Sequence, residues 1–177
     1  MSSVLVVCVG NICRSPLAER LLAARAEASG VDVSVSSAGV RALAGERMDD
    51  LAAAELVRLG GSPAGFVARR LTEEMVAGAD LVLAATKGVR TEVLNVAPGA
   101  MRRTFTLLEF AALCEVAASP AGQGVDELVA DVARARGRVS GVVLDVADPV
   151  DGSPRLHRAV AETIAAAVDR IVTTLAH

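Results

Sequence analysis

Cys8 and Arg14 stand at the two ends of one short loop, Cys8-Val9-Gly10-Asn11-Ile12-Cys13-Arg14-Ser15. A thiol is a nucleophile once it carries negative charge, and a guanidinium is a planar fork that binds two oxygens of an anion at once. With five residues between them, the two groups can meet across a turn and form a cradle for a phosphate-sized anion, with the nucleophile at its floor. Ser15 can donate a hydrogen bond to the sulfur. Gly10 permits a tight loop, and Asn11 tolerates left-handed geometry while tying the loop down.

Such a cradle needs a strand to deliver the thiol and a helix to receive the loop. Val4-Leu5-Val6-Val7 is apolar on both faces and predicts a buried strand over 3–8. Leu17, Ala18, Leu21 and Leu22 fall at helical spacing and predict a helix over 16–27, with Ser15 as N-cap and Pro16 in the first position. The N-terminus of that helix offers unpaired N–H groups and partial positive charge, which suit both a phosphate and a thiolate.

Strand and helix patterns then alternate. Strands are expected over 31–37, 80–84 and 103–106, with a short extended stretch over 66–71. Helices are expected over 49–59, from 72 onward for a short stretch, and over 86–95, where Pro98 stops the last of them. Further helices follow over 107–117 (Leu108, Ala111 and Ala112 inward), 125–136 and 155–175. Loops fall at 119–122 and 137–143. The expectation is a single α/β domain over 1–177: a four-stranded parallel sheet with helices on both faces and the phosphate-binding loop after the first strand. The first turn then lies where strand order reverses, the usual ligand position in such sheets.

Composition excludes several classes. The 177 residues carry a net charge of −3 and contain no Trp and no Tyr, which argues against a nucleic-acid binder or a base-stacking platform. No apolar run reaches membrane-spanning length, and the first strand is too short and lacks the basic flank of a signal peptide. A soluble, cytoplasmic protein is expected. Cys8, Cys13 and Cys114 make no disulfide framework, although Cys8 and Cys13 could form a local bond. His157 and His177 lie far from them, no zinc-type spacing appears, and no metal is expected. Cys114 reads as core packing, and His157 as a surface or half-buried residue without chemistry.

The strand followed by CVGNICRSP resembles the start of the low-molecular-weight protein tyrosine phosphatase family, whose signature is C-x5-R-S. Ser36-Ser37-Ala38-Gly39 resembles the family's turn after the second strand. Ala68-Arg69-Arg70-Leu71, Ala79-Asp80-Leu81-Val82-Leu83 and Phe105-Thr106-Leu107-Leu108-Glu109-Phe110 are similar to bacterial members, and Asp148-Pro149 matches the late D-P pair. The resemblance implies hydrolysis of phosphotyrosine, in a protein or an aryl phosphate, through a thiophosphate on Cys8. Arg14 and the N–H groups from Val9 through Ser15 (Val9, Gly10, Asn11, Ile12, Cys13 and Ser15) would hold the oxygens. Asp148 would serve as general acid and then base, and no cofactor would be required. Asp145 and Asp151 compete for the acid's role, but neither precedes a proline. Ser37 would help hold Asn11. A cysteine at the position of Cys13 can trap oxidised Cys8 as a disulfide; a small residue packed under the loop is the competing reading.

The chain departs from the family at its walls. Val150-Asp151-Gly152 follows the D-P pair where many members carry an aromatic residue, and 41–46 also lacks a ring. Phe66 stands near where many members have a histidine that supports the loop asparagine. Three other activities remain as alternatives. A branch that dephosphorylates protein arginine tends to have threonine where this chain has Ile12, so Ile12 favours tyrosine. Thiol-dependent arsenate reductases share the cradle but need a further cysteine pair, and only Cys114 lies beyond the loop. A non-catalytic anion-binding module is disfavoured by the intact Cys8, Arg14 and Asp148. The expected partner is a phosphorylated protein or small phosphate ester. Oligomeric state is not encoded in any legible feature.

Overall fold

Four parallel strands form the sheet: β1 (Ser2–Cys8), β2 (Val33–Gly39), β3 (Leu81–Ala84) and β4 (Thr104–Thr106). Their spatial order is β2-β1-β3-β4, so the chain reverses its direction of travel across the sheet at β1. Among the described residues seven α-helices accompany them: α1 (Arg14–Ala28), α2 (Asp50–Arg58), α3 (Glu73–Ala77), α4 (Lys87–Val96), α5 (Leu107–Val116), α6 (Val125–Ala135) and α7 (Pro154–Ala176). This computed structural model describes residues 1–117, 124–141 and 143–176. Among them, no helix is long and apolar enough to cross a membrane.

Alternate residues of β1 enter different cores, which is why the strand reads as continuously apolar. Val4 and Val6 pack with Leu17, Leu21, Phe110 and Ile164 on the face covered by α1, α5 and α7. Leu5 and Val7 pack with Val76, Val89 and Val93 on the face covered by α3 and α4. The four-stranded sheet with helices on both faces therefore agrees with the sequence pattern. β1 and β2 run in register from Ser2 opposite Val33 to Cys8 opposite Gly39, so the end of β2 lies beside the cysteine.

Several elements differ from the expectation. α1 begins at Arg14, with Cys13 as its N-cap residue and no side-chain cap. The Ser15 hydroxyl is engaged with Cys8 and Asn11 instead. Pro16, the third residue of α1, is tolerated in the first turn because the first four N–H groups have no intrahelical partner. β2 starts at Val33 rather than Val31. The stretch 66–71 makes only an isolated bridge, Gly39 to Arg70. Pro98 ends α4 but opens a 3-10 segment, Pro98–Arg103, that was not anticipated. A second, Arg136–Arg138, lies where loop was expected. The loop expected at 119–122 lies outside the described residues.

The inward face of α5 is rotated by one residue from the expected one. Leu107, Phe110, Ala111 and Cys114 are buried at the spacing i, i+3, i+4, i+7, along with Leu113, whereas Leu108 and Ala112 are only partly buried. The start at Leu107 agrees with the expectation and is fixed by a cap. Thr106 Oγ1 accepts from Glu109 N at 3.1 Å, and Glu109 Oε2 accepts from Thr106 N at 3.2 Å, a reciprocal capping box directly after β4. Thr106→Ala should therefore lower the free energy of unfolding by about 1–2 kcal/mol, read from urea denaturation. A change within error would show that the box is dispensable.

Candidate active site

The loop between β1 and α1 is shaped from outside. The carbonyls of Val9, Gly10 and Ile12 accept from the N–H groups of Arg41 (3.0 Å), Leu43 (3.0 Å) and Asp49 (2.9 Å), and that of Cys13 from Leu17 (3.2 Å). A trans peptide unit is planar with N–H and C=O on opposite sides. Turning these carbonyls outward thus turns the N–H groups of Gly10, Asn11, Cys13 and Arg14 toward the loop's centre. Asn11 N–H lies 3.3 Å from Cys8 Sγ, as this geometry requires. Converging N–H groups make an anion site without any charged side chain.

Asn11 sits at φ +56°, in the left-handed region where asparagine is tolerated. Its amide is fully buried and holds three partners. Nδ2 donates to Ser15 Oγ and to Ser37 Oγ, each at 2.9 Å, and Oδ1 accepts from Arg69 N at 2.9 Å. Ser37 Oγ in turn donates to Glu19 Oε2. A carboxylate accepts only, so it fixes the direction of the whole chain: Asn11 to Ser37 to Glu19 on one side, Asn11 to Ser15 on the other. Ser15 already accepts from Asn11. Its own proton is left for Cys8 Sγ at 2.9 Å or for the Ala38 carbonyl at 3.4 Å. Both contacts to the sulfur suit negative charge on it.

Gly39 is the point of closest approach behind the loop. A Cβ built there would lie 2.5 Å from the Val9 carbonyl oxygen and 3.0 Å from the Asn11 and Ala42 Cβ atoms. Only glycine leaves room for the end of β2 against the loop.

Arg14 is nearly buried, and its guanidinium is held at both ends. Nη1 donates to the Val146 carbonyl at 3.2 Å, and Nη2 pairs with Asp148 Oδ2 at 2.8 Å across 134 residues of sequence. Asp148 is half exposed, and its other oxygen accepts from Val150 N at 3.2 Å, a turn of the kind expected before and around proline. The segment is anchored to the sheet's carboxyl edge: Val146 N donates to the Ala85 carbonyl, and Asp145 Oδ1 accepts from Lys87 N at the start of α4. Asp145 is thereby occupied, and Asp151 makes a left-handed turn at φ +57°.

A cavity of about 220 Å³ joins Cys8, Gly10, Cys13 and Arg14 to Asp148 and Arg41, between the apolar residues Val9, Ile12, Leu43 and Val150. It contains no aromatic residue. Asn11, Ser15 and Ser37 lie behind it, fully buried. Cys13 lines the cavity, and burial pushes its thiol up to about 12, helped by the charges of Asp49, Cys8 and Asp148 and opposed by Arg14. Cys114 is buried on α5, and desolvation raises its thiol to about 12 as well.

Glu19, Arg69 and Arg41 were not singled out from sequence. Spacing along the chain gives no signal for Glu19, whose partner Ser37 lies on β2, 18 residues away. Phe66 supplies nothing polar to Asn11; Arg69 N–H occupies that oxygen, and Arg20 lies over the Phe66 ring at 5.7 Å. His157 corrects its expected exposure. It is buried, with Nδ1 3.7 Å from Asp49 Oδ1, because α7 packs across the start of α2.

Residues 3–121 match the sequence profile of the low molecular weight phosphotyrosine protein phosphatase family. The chain belongs to this family. It is similar to the low molecular weight protein-tyrosine-phosphatase Etp of Escherichia coli (strain K12), with 42% identity over 103 residues, 58% of this chain and 67% of that protein. It is also similar to a protein-arginine-phosphatase of Geobacillus stearothermophilus, with 30% identity over 172 residues, 97% of this chain and 95% of that protein. Among solved structures, the tyrosine phosphatase amsI of Erwinia amylovora superposes with a TM-score of 0.75 at 27% identity, covering 99% of this chain and 94% of that one.

Two outcomes follow from this geometry. Gly39→Ala should weaken binding of inorganic phosphate by about tenfold or more in calorimetry, and lower stability by about 1–3 kcal/mol through overpacking; unaltered affinity would mean that the loop does not rest on this contact. Thiols with raised values stay protonated and unreactive at any pH well below them. Iodoacetate at pH 8 should therefore modify Cys8 first and be slowed by inorganic phosphate, with Cys13 and Cys114 unlabelled in the mass spectrum until far more alkaline pH. Equal labelling of Cys8 and Cys13 would contradict the environment described for Cys13.

Proposed function

We propose that the chain hydrolyses phosphotyrosine monoesters through a covalent intermediate on Cys8. The observation that supports this most directly is the meeting of Asp148 and Arg14 at 2.8 Å beside a loop whose Asn11 N–H donates to the Cys8 sulfur. Cys8 attacks phosphorus, the bond from phosphorus to the phenolic oxygen breaks, and Asp148 gives its proton to that oxygen. Arg14 and the loop N–H groups take up charge on the equatorial oxygens, most strongly in the trigonal-bipyramidal transition state. Water then attacks phosphorus, its proton passes to the Asp148 carboxylate, and the electrons of the phosphorus–sulfur bond return to Cys8. Arg14 pairs with Asp148, so a bound phosphate and the carboxylate share the same guanidinium.

The apolar lining of Val9, Ile12, Leu43 and Val150 suits the flat face of a phenol better than a guanidino group, which would need polar partners. Without a ring to stack on, the hold on a free aryl phosphate is weaker by about 0.5–1.5 kcal/mol than an aromatic wall would give. Protein-arginine phosphatase is retained as a second reading because the arginine-specific relative aligns along 97% of this chain.

Hydrolysis of para-nitrophenyl phosphate is expected at mildly acidic pH without added metal. Cys8→Ser should abolish it, and Asp148→Asn should reduce kcat by about 100-fold or more. Full activity of the Cys8→Ser protein would sink the mechanism. Phosphotyrosine and phosphoarginine peptides of the same sequence, turned over side by side, decide between the two substrates; a higher kcat/KM on phosphoarginine would replace the first reading with the second.

A further inference from the structure

Arg41 takes no part in the chemistry, yet it lines the same cavity as Cys8, Arg14 and Asp148. Its backbone is fixed to the phosphate loop, since Arg41 N donates to the Val9 carbonyl at 3.0 Å, and its neighbours Val40 and Leu43 donate to Cys8 and Gly10. Its side chain is 61% exposed and is paired with Glu92 on α4 at 2.6 Å. Glu92 in turn lines a neighbouring hollow of about 270 Å³, together with Arg70 and Asn95. The Arg41–Glu92 pair therefore stands between the catalytic cavity and this second hollow. Arg70, exposed in the hollow, makes no ion pair among the described residues. The strip thus carries two guanidinium groups and one carboxylate, an excess of positive charge on a chain whose net charge is −3.

We infer that Arg41 is a specificity-determining residue that recognises a carboxylate next to the phosphorylated residue, so that the preferred substrates are phosphopeptides with acidic flanks. The inference rests on the phosphatase reading above and names its substrate class. An ion pair as exposed as Arg41–Glu92 is worth little, so exchanging Glu92 for a substrate carboxylate costs almost nothing. The gain is larger on the substrate side, where the bound peptide excludes water from the guanidinium and permits a two-pronged hydrogen bond. Arg70 extends the positive strip to the following residue of an extended peptide, which advances about 3.3 Å per residue.

The test uses two phosphotyrosine peptides, identical except that the residues flanking the phosphotyrosine are aspartate in one and lysine in the other. The readout is the ratio of their kcat/KM values, in which any general loss of activity cancels. The wild-type protein should prefer the acidic peptide about threefold to tenfold, mainly through KM, and the preference should shrink as salt is raised. Arg41→Ala should remove most of the preference, Arg41→Glu should invert it, and Arg41→Lys should keep part of it. Glu92→Gln, which frees Arg41, should increase the preference while leaving para-nitrophenyl phosphate turnover unchanged. An unaltered ratio in Arg41→Ala and Arg41→Glu, with both peptides still hydrolysed, overturns the inference and leaves the phosphatase reading standing. Failure of the wild-type protein to hydrolyse either peptide or para-nitrophenyl phosphate overturns both.

Discussion

The site depends on which way a handful of peptide units face. Backbone N–H groups can surround an anion only if their carbonyls, rigidly opposed to them, are satisfied elsewhere. Here the elsewhere is supplied by the chain that follows β2 and by the first turns of α1 and α2: Arg41, Leu43, Asp49 and Leu17 each hold one loop carbonyl. The anion site is thus made by its surroundings as much as by its own sequence. The close seat of Gly39 against Val9 and the buried amide of Asn11 serve the same end, keeping the second strand and the loop at one fixed separation.

The parallel sheet performs a second task, that of delivery. All four strands point their carboxyl ends to one edge, so segments far apart in sequence emerge side by side. Cys8 leaves β1 there, and the segment carrying Asp148 is tied to the ends of β3 and α4 through Ala85 and Lys87. Asp148 follows two anchors, at Asp145 and Val146, while its own carboxyl stays half exposed beside Arg14.

Much of this was legible in the residues. The strand ahead of Cys8 was readable because burial on both faces leaves an uninterrupted apolar run. The catalytic loop was readable because thiol, glycine, asparagine and arginine each have a distinct reason to be there. What escaped was long-range or phase-dependent. The inward face of α5 differs from the expected one by one residue's rotation, about 100°, and is set by the packing of α5 against α7 and α6, which composition does not reveal. The burial of His157 depends on where α7 crosses α2. Glu19 was hidden because a glutamate on a helix next to Arg20 reads as surface, and only the fold brings Ser37 to it. Arg41 escaped because its neighbour Glu92 is brought to it only by the packing of α4.

The run of hydrogen bonds from Asn11 through Ser37 to Glu19, and from Asn11 through Ser15 toward the sulfur, has a bearing on how such a chain can diverge. Every member is buried or nearly so, and donor and acceptor roles follow one another in a set order. Replacing one member strands its neighbour's polar group without water, at about 1–3 kcal/mol, whereas changing both partners of a bond together can be close to neutral. Substitutions behind the loop must therefore arrive in matched sets. Any change in what donates to the Asn11 oxygen, here the Arg69 backbone, has to bring another donor with it.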